Sequence, residues 1–198
     1  EFYDEIGWMQ EEDGNYQNAR YEDLRPVSRE YIHKTRLRVM NGLIPTGRFI
    51  LDAGSGPVQY EEYKTYSAGY EKRVCLDISI QALREARTRI GDHGLFVVGD
   101  LANLPFKKDA FDGAVSMHAI HHLALPEHPK AYAEIHRVLA QGRTAAIVNG
   151  WHNPLLIRMA EPLIGLMRKL SGRSEKKKKE WLSEEDPAGT FVQKMTPE

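Results

Sequence analysis

A chain of 198 residues with 41% hydrophobic side chains supports one domain with a sizeable core and leaves little room for a second. Its 27 basic and 28 acidic residues leave a net charge of -1, which excludes a whole-chain field for nucleic acid or an anionic membrane and favours a small partner. The single cysteine, Cys75, excludes an internal disulfide and sits in an apolar run as a buried reduced thiol would. No apolar stretch reaches the roughly 20 residues needed to span a bilayer. The opening Glu1-Phe2-Tyr3-Asp4-Glu5 lacks the basic and apolar regions of a secretion signal, so a cytoplasmic protein with no membrane span is expected.

Residues 1–27 are acidic and aromatic, with Tyr3, Trp8, Tyr16 and Tyr21 among polar neighbours, and read as a lid-like cover. Ser28 as N-cap, followed by Tyr31, Ile32, Leu37 and Met40, predicts a helix over 28–40 that stops near Gly42 and Pro45. Apolar runs at 48–52, 73–77, 95–99, 111–117 and 143–149 then alternate with helical patterns over 79–91 and 127–140. The runs are nearly continuous rather than alternating, as in strands buried on both faces, so the fold class is α/β: a doubly wound, mainly parallel, Rossmann-like sheet with helices on both faces. Between the first two runs, Gln59 to Tyr70 is tyrosine-rich and poorly periodic. Pro154 to Leu170 reads as a strongly apolar helix that could cover the sheet, wall a ligand pocket or form a homodimer face. The run Lys176-Lys177-Lys178-Lys179 reads as a solvated loop, without the interleaved aromatics that strand stacking on nucleic acid would need. The expected organisation is one domain over 1–198, comprising the lid-like 1–27, a core over 28–150, and the apolar helix and basic or polar tail over 151–198.

Three of the runs end in an acid. Phe49-Ile50-Leu51-Asp52 leads into the glycine turn Ala53-Gly54-Ser55-Gly56, where small residues let a ligand approach the backbone closely. Val74-Cys75-Leu76-Asp77 places a carboxylate some twenty residues further on, where it can accept both hydroxyls of a ribose. Ser79 can cap the following helix, which frees Asp77 for that task. Leu95-Phe96-Val97-Val98-Gly99-Asp100 supplies the third acid, and Phe111 to Met117 runs into His118-Ala119-Ile120-His121-His122-Leu123.

This series resembles the class I S-adenosylmethionine (SAM)-dependent methyltransferases over about residues 48 to 149. The "His-His-Leu" after the fourth strand is similar to the small-molecule, type 11 enzymes that include those of quinone biosynthesis. The resemblance implies SAM as cofactor, S-adenosylhomocysteine as product, and a methyl group moved to an O, N or C atom of a small-molecule acceptor by in-line displacement. It also implies a cofactor site of Asp52, Ala53, Gly54, Ser55, Gly56, Asp77, Ile78, Asp100, Leu101, Met117 and His118. In that reading Asp52 organises the loop and meets the cofactor's ammonium group, Ile78 lies against the adenine, and Asp100 with the Leu101 backbone reads the adenine edge. Met117 and His118 line the methionine end, with His118, His121 or His122 as candidate base. No metal is expected, because the adjacent His121 and His122 would diverge on a helix and no carboxylate sits at ligand spacing.

Two features depart from the family. The third glycine position of the turn is Val58, preceded by Pro57, and no strand pair follows residue 171, so the C-terminal edge hairpin is missing from the pattern. They motivate an alternative, a non-catalytic SAM-binding or degenerate methyltransferase-fold partner protein. A second rival, an NAD-dependent oxidoreductase, shares Gly54-x-Gly56 and the distant Asp77, but Gln59 stands where its third glycine belongs.

Overall fold

The computed structural model describes residues 26–149 and the isolated position Pro162. Apart from Pro162, the apolar helix after Pro154, the lysine run and the region of the edge hairpin lie outside the described residues, as does the lid-like segment up to Arg25.

Among the described residues five strands form one sheet: β1 Gly47–Ala53, β2 Tyr70–Asp77, β3 Gly94–Val98, β4 Phe111–Met117 and β5 Leu139–Val148. The order is β3-β2-β1-β4-β5 and every pairing is parallel. The chain therefore reverses its direction of winding at β1 and β4, and a crevice opens at their carboxyl ends. Each predicted apolar run became a strand. The largest difference is in β5, which starts four residues earlier than the 143–149 run because it leaves its preceding helix without a loop.

Over residues 26–149 four α-helices accompany the sheet: α1 Pro26–Arg38, α2 Glu61–Thr65, α3 Ile80–Ile90 and α4 His128–Val138. Strand parity decides what each face buries. Leu51, Ala53, Val74, Leu76 and Ala114 point to the side of α4, where they pack with Ala131, Ile135 and Val138. The alternate positions face the other helices. Cys75 meets Leu83 and Ala86 of α3, while Ile50 and Val115 meet Tyr66, Tyr70 and the Val39–Leu43 turn after α1. Both faces are covered, which is why the strands are apolar along their length.

The poorly periodic segment after the glycine turn forms only the five residues of α2. Tertiary contacts hold it in place of helix length. Tyr60, Tyr63 and Tyr66 stack in sequence, with centroids 5.1 and 5.4 Å apart, and the Tyr66 hydroxyl donates to the Arg36 carbonyl of α1 at 2.9 Å. From β2, the Arg73 guanidinium donates to the Tyr63 carbonyl.

Candidate active site

Asp77 ends β2 with its carboxylate buried and already oriented. Its Oδ2 accepts from the Gly56 N–H at 2.8 Å and its Oδ1 from the Ser79 N–H at 2.9 Å. Ser79, not Asp77, caps α3, its hydroxyl accepting from the Ala82 N–H at 3.2 Å. The Ile78 N–H also favours its charged form, so the backbone around the strand end holds the carboxylate. Burial raises the Asp77 pKa, and the nearby Asp52 charge adds to that, against the lowering effect of the Ser79 and Gly56 N–H groups.

The glycine turn folds back on the end of β2. The N–H groups of Gly54 and Ser55 both donate to the Leu76 carbonyl, at 2.8 and 3.0 Å, and the Ser55 hydroxyl donates to the Gly56 carbonyl at 3.2 Å. Gly54 has φ 73°, and a Cβ built there would lie 2.3 Å from the Ala119 Cβ, so the closest approach it permits is to the loop after β4. Val58 keeps the left-handed conformation of a third glycine, with φ 51°, although a β-branched side chain is strained there. Its side chain is fully buried against Cys75, Leu83 and Ala86, which offsets that strain.

Asp52 lies on the face of the sheet that carries Arg73. Its Oδ2 receives both Arg73 Nη2, at 2.5 Å, and Nε, at 3.0 Å, and both side chains are almost wholly buried. That oxygen is committed to a cation of the protein itself. Ala53 is buried in the core on the opposite face.

Asp100 sits in a tight turn that consumes its carboxylate locally. Oδ1 accepts from the Ala102 N–H at 2.8 Å, Oδ2 from the Asn103 amide, and the Asn103 N–H returns to the Asp100 carbonyl at 3.0 Å. Leu101 beside it is buried. Ile78 and Val98 are the contrast: they follow or end β2 and β3 and remain 64% and 56% exposed. Val98 was not among the sequence candidates, because within an apolar run nothing distinguishes the one residue that ends uncovered.

Beyond β4, Met117 is partly buried and His118 is exposed, with φ 56° and its N–H donating to the Val148 carbonyl of β5 at 2.7 Å. Ile120–His122 form a single 3-10 turn rather than an α-helix, so the adjacent His121 and His122 do not diverge as expected. Their ring centroids are 4.3 Å apart, and those of His118 and His121 are 6.0 Å apart. Among the described residues no three metal-binding side chains converge. Burial takes the His121 pKa down to about 3, helped by the His122, His118 and His128 charges. The His118 pKa is also lowered, by partial desolvation of its ring and by Arg36 and His122. Arg36 was missed in the sequence, where it falls between the apolar positions of a helix. It reaches from α1 to stack 3.3 Å over the Tyr60 ring and lies 3.9 Å from Glu62, whose other oxygen meets His33 at 2.6 Å.

A parallel sheet with a winding reversal, a buried acid at the end of β2 and a glycine turn folded back on it are features of a class I methyltransferase fold. The comparisons agree. The family described as "Methyltransferase domain" matches residues 51–147. No curated protein matches the chain. Among solved structures, one similar chain belongs to the complex between the Haloferax volcanii Trm112 methyltransferase activator and a methyltransferase, at 25% identity and TM-score 0.53, covering 64% of this chain and 56% of that one. Another is the YcgJ protein from Bacillus subtilis, at 20% identity and TM-score 0.55, covering 82% and 64%. A third is an S-adenosylmethionine-dependent methyltransferase from Mesorhizobium loti, at 25% identity and TM-score 0.50, covering 59% and 53%. The chain thus spans between half and two thirds of the length of these relatives. Residues 51–147 thus match the methyltransferase family model, and the fold is that of the class I SAM-dependent methyltransferases, a class whose cofactor is SAM.

Proposed function

We propose that this protein is an enzyme that transfers the methyl group of SAM to an O, N or C atom of a small-molecule acceptor in the cytoplasm. The observation that carries the reading is the Asp77 cradle: a buried carboxylate fixed by two backbone N–H groups, with exposed Ile78 and Val98 beside it. A charged, preset acceptor of this kind fits a pair of ribose hydroxyls, and two uncovered apolar side chains fit a purine face. SAM, when bound, supplies a methyl group on an already activated sulfonium, so the protein's share is alignment and exclusion of water.

For the tail of the cofactor fewer partners are open in the proposed site than the sequence suggests. The N–H groups of Gly54, Ser55 and Gly56 and one oxygen of Asp52 are occupied within the protein. Met117 and His118 are the expected groups that this leaves for the methionine end. Among the histidines, buried His121 is kept as a candidate base and exposed His118 as a group that exchanges protons with solvent. The same internal commitments, with Val58 in the turn, support the second reading, a SAM-binding partner protein without turnover.

Calorimetric titration with SAM, with NAD as comparison ligand, tests the site. Micromolar binding of SAM that is lost in Asp77→Ala is expected. NAD binding, or no binding of SAM, would sink the proposal, and binding without turnover on a panel of methyl acceptors would move the reading to the partner protein.

A further inference from the structure

Three elements meet behind the histidines. Asn149 follows β5, Tyr132 lies on α4, and His121 follows β4. The Asn149 Nδ2 donates to the Tyr132 hydroxyl at 2.7 Å. That amide orientation leaves Asn149 Oδ1, which is buried without a hydrogen-bond partner, and the His121 Nδ1 is buried without one as well. His121 as a whole is only 8% exposed. An unpaired buried donor and an unpaired buried acceptor are each costly, and the two are complementary. The Asn149 side chain lies near enough to the His121 ring to favour its protonation, against the burial that disfavours it, although the two complete no hydrogen bond in this structure.

An amide oxygen can satisfy Nδ1 only when Nδ1 carries the proton. We infer that Tyr132 and Asn149 are positioning residues that hold His121 as the neutral Nδ1–H tautomer, leaving its Nε2 lone pair to receive a hydroxyl or amine proton of the methyl acceptor. Among the described residues no hydrogen bond engages Nε2. The titratable groups around the ring are His118 and His122 from its own segment, His128 from the start of α4 and the phenol of Tyr132. The three histidines all disfavour a further positive charge. A neutral imidazole in that setting accepts a hydrogen bond without taking the proton in the ground state, and so orients an O–H or N–H nucleophile. An acceptor of that class is favoured over a carbon nucleophile that offers no such proton. The tautomer rests on the two unpaired buried atoms, the Asn149–Tyr132 hydrogen bond and the influence of Asn149 on the ring; its assignment to a methyl acceptor rests on the methyl-transfer reading.

The two halves are separable by experiment. Two-bond 1H–15N correlation on histidine-labelled protein at neutral pH should show His121 with Nδ1 protonated and Nε2 bare. Asn149→Ala should shift the ring towards the Nε2–H tautomer, and Tyr132→Phe, which keeps the aromatic packing, should shift it part of the way. A wild-type ring with Nε2–H, as a reversed amide would impose, or a tautomer unmoved by both variants would overturn the relay. Calorimetry with S-adenosylhomocysteine runs alongside and should give affinity within about threefold of wild type in both variants, since the relay touches no proposed cofactor group. The expected tautomer without S-adenosylhomocysteine binding in the wild type would overturn the assignment to a methyl acceptor and the methyl-transfer reading with it. Binding together with the wrong tautomer would overturn the relay alone.

Discussion

Asp52 and Asp77 end neighbouring strands on the same face of the sheet, and both are buried, yet they hold opposite electrostatic positions. Asp52 is paired with Arg73, a full counter-charge, while Asp77 is held by backbone N–H groups and has a raised pKa. The first carboxylate is spent on holding β1, β2 and the α2 segment together. The second carries a burial penalty on its charge that a ligand's hydroxyls can relieve. Identical residues after similar strands thus divide into a structural and a binding role according to whether a cation lies within reach.

Removing the cation should give the largest effect. Arg73→Leu leaves an uncompensated buried carboxylate and should cost about 3–5 kcal/mol in urea unfolding, with much of it restored in Arg73→Leu/Asp52→Leu. A loss under 1 kcal/mol would erase the contrast with Asp77. Asp77→Asn, by comparison, should act mainly on the ligand, weakening SAM by about 1.5–3 kcal/mol in calorimetry through lost charge-assisted bonds. Equal weakening by Asp52→Asn in a variant that stays folded would show the division of roles to be wrong.

Gly54→Ala addresses the loop that joins the two acids. A Cβ forced against Ala119 at φ 73° should lower stability by about 1–3 kcal/mol in thermal melts. A melt unchanged from wild type would mean that the turn after β4 can retreat freely.

At the histidine end the comparison is one of pH. The folded His121 pKa is depressed from 6.5 to about 3, so the unfolded chain binds the extra proton between those values. The stability contributed is present above the unfolded value and is lost as pH falls through that window. Asp77, with a raised pKa, contributes in the opposite sense, losing stability as pH rises. Melting temperatures from pH 7.5 to pH 4 should therefore fall less steeply in His121→Gln than in wild type, and parallel curves would show that the ring is not held neutral.

The smallest effect is expected at Val58. Glycine there removes strain of about 1–3 kcal/mol. It also removes a buried side chain worth about 1.5–3 kcal/mol, so Val58→Gly should stay within about 1 kcal/mol of wild type. Val58→Ala keeps the strained φ and loses most of the packing, and should be the less stable of the two. The reverse order by denaturant unfolding would mean that the left-handed conformation is not what this position demands.

Much of this was legible in the chain. Five apolar runs became five strands, and Ser79 took the cap and freed Asp77, because local patterns of apolar residues and cap chemistry act over a few residues. The stretch around α2 resisted reading for the same reason: its order comes from Arg73 and Arg36, brought from elsewhere, and from its own three tyrosines packed ring against ring, not from its periodicity. Likewise a 3-10 turn, rather than an α-helix, drew His121 and His122 together.

The sequence by itself determined the strand order's raw material, the acids at three strand ends and the glycines of the turn, since period and backbone freedom are properties of the segment. Only the tertiary structure decided that Asp52 would meet Arg73, that the turn's N–H groups would close on Leu76 and Asp77, and that Asn149 and Tyr132 would stand behind His121. Those partners are separated by tens of residues. Which side chains meet across such a gap is fixed by the register between strands and the packing of helices upon them, and neither is written in any one segment.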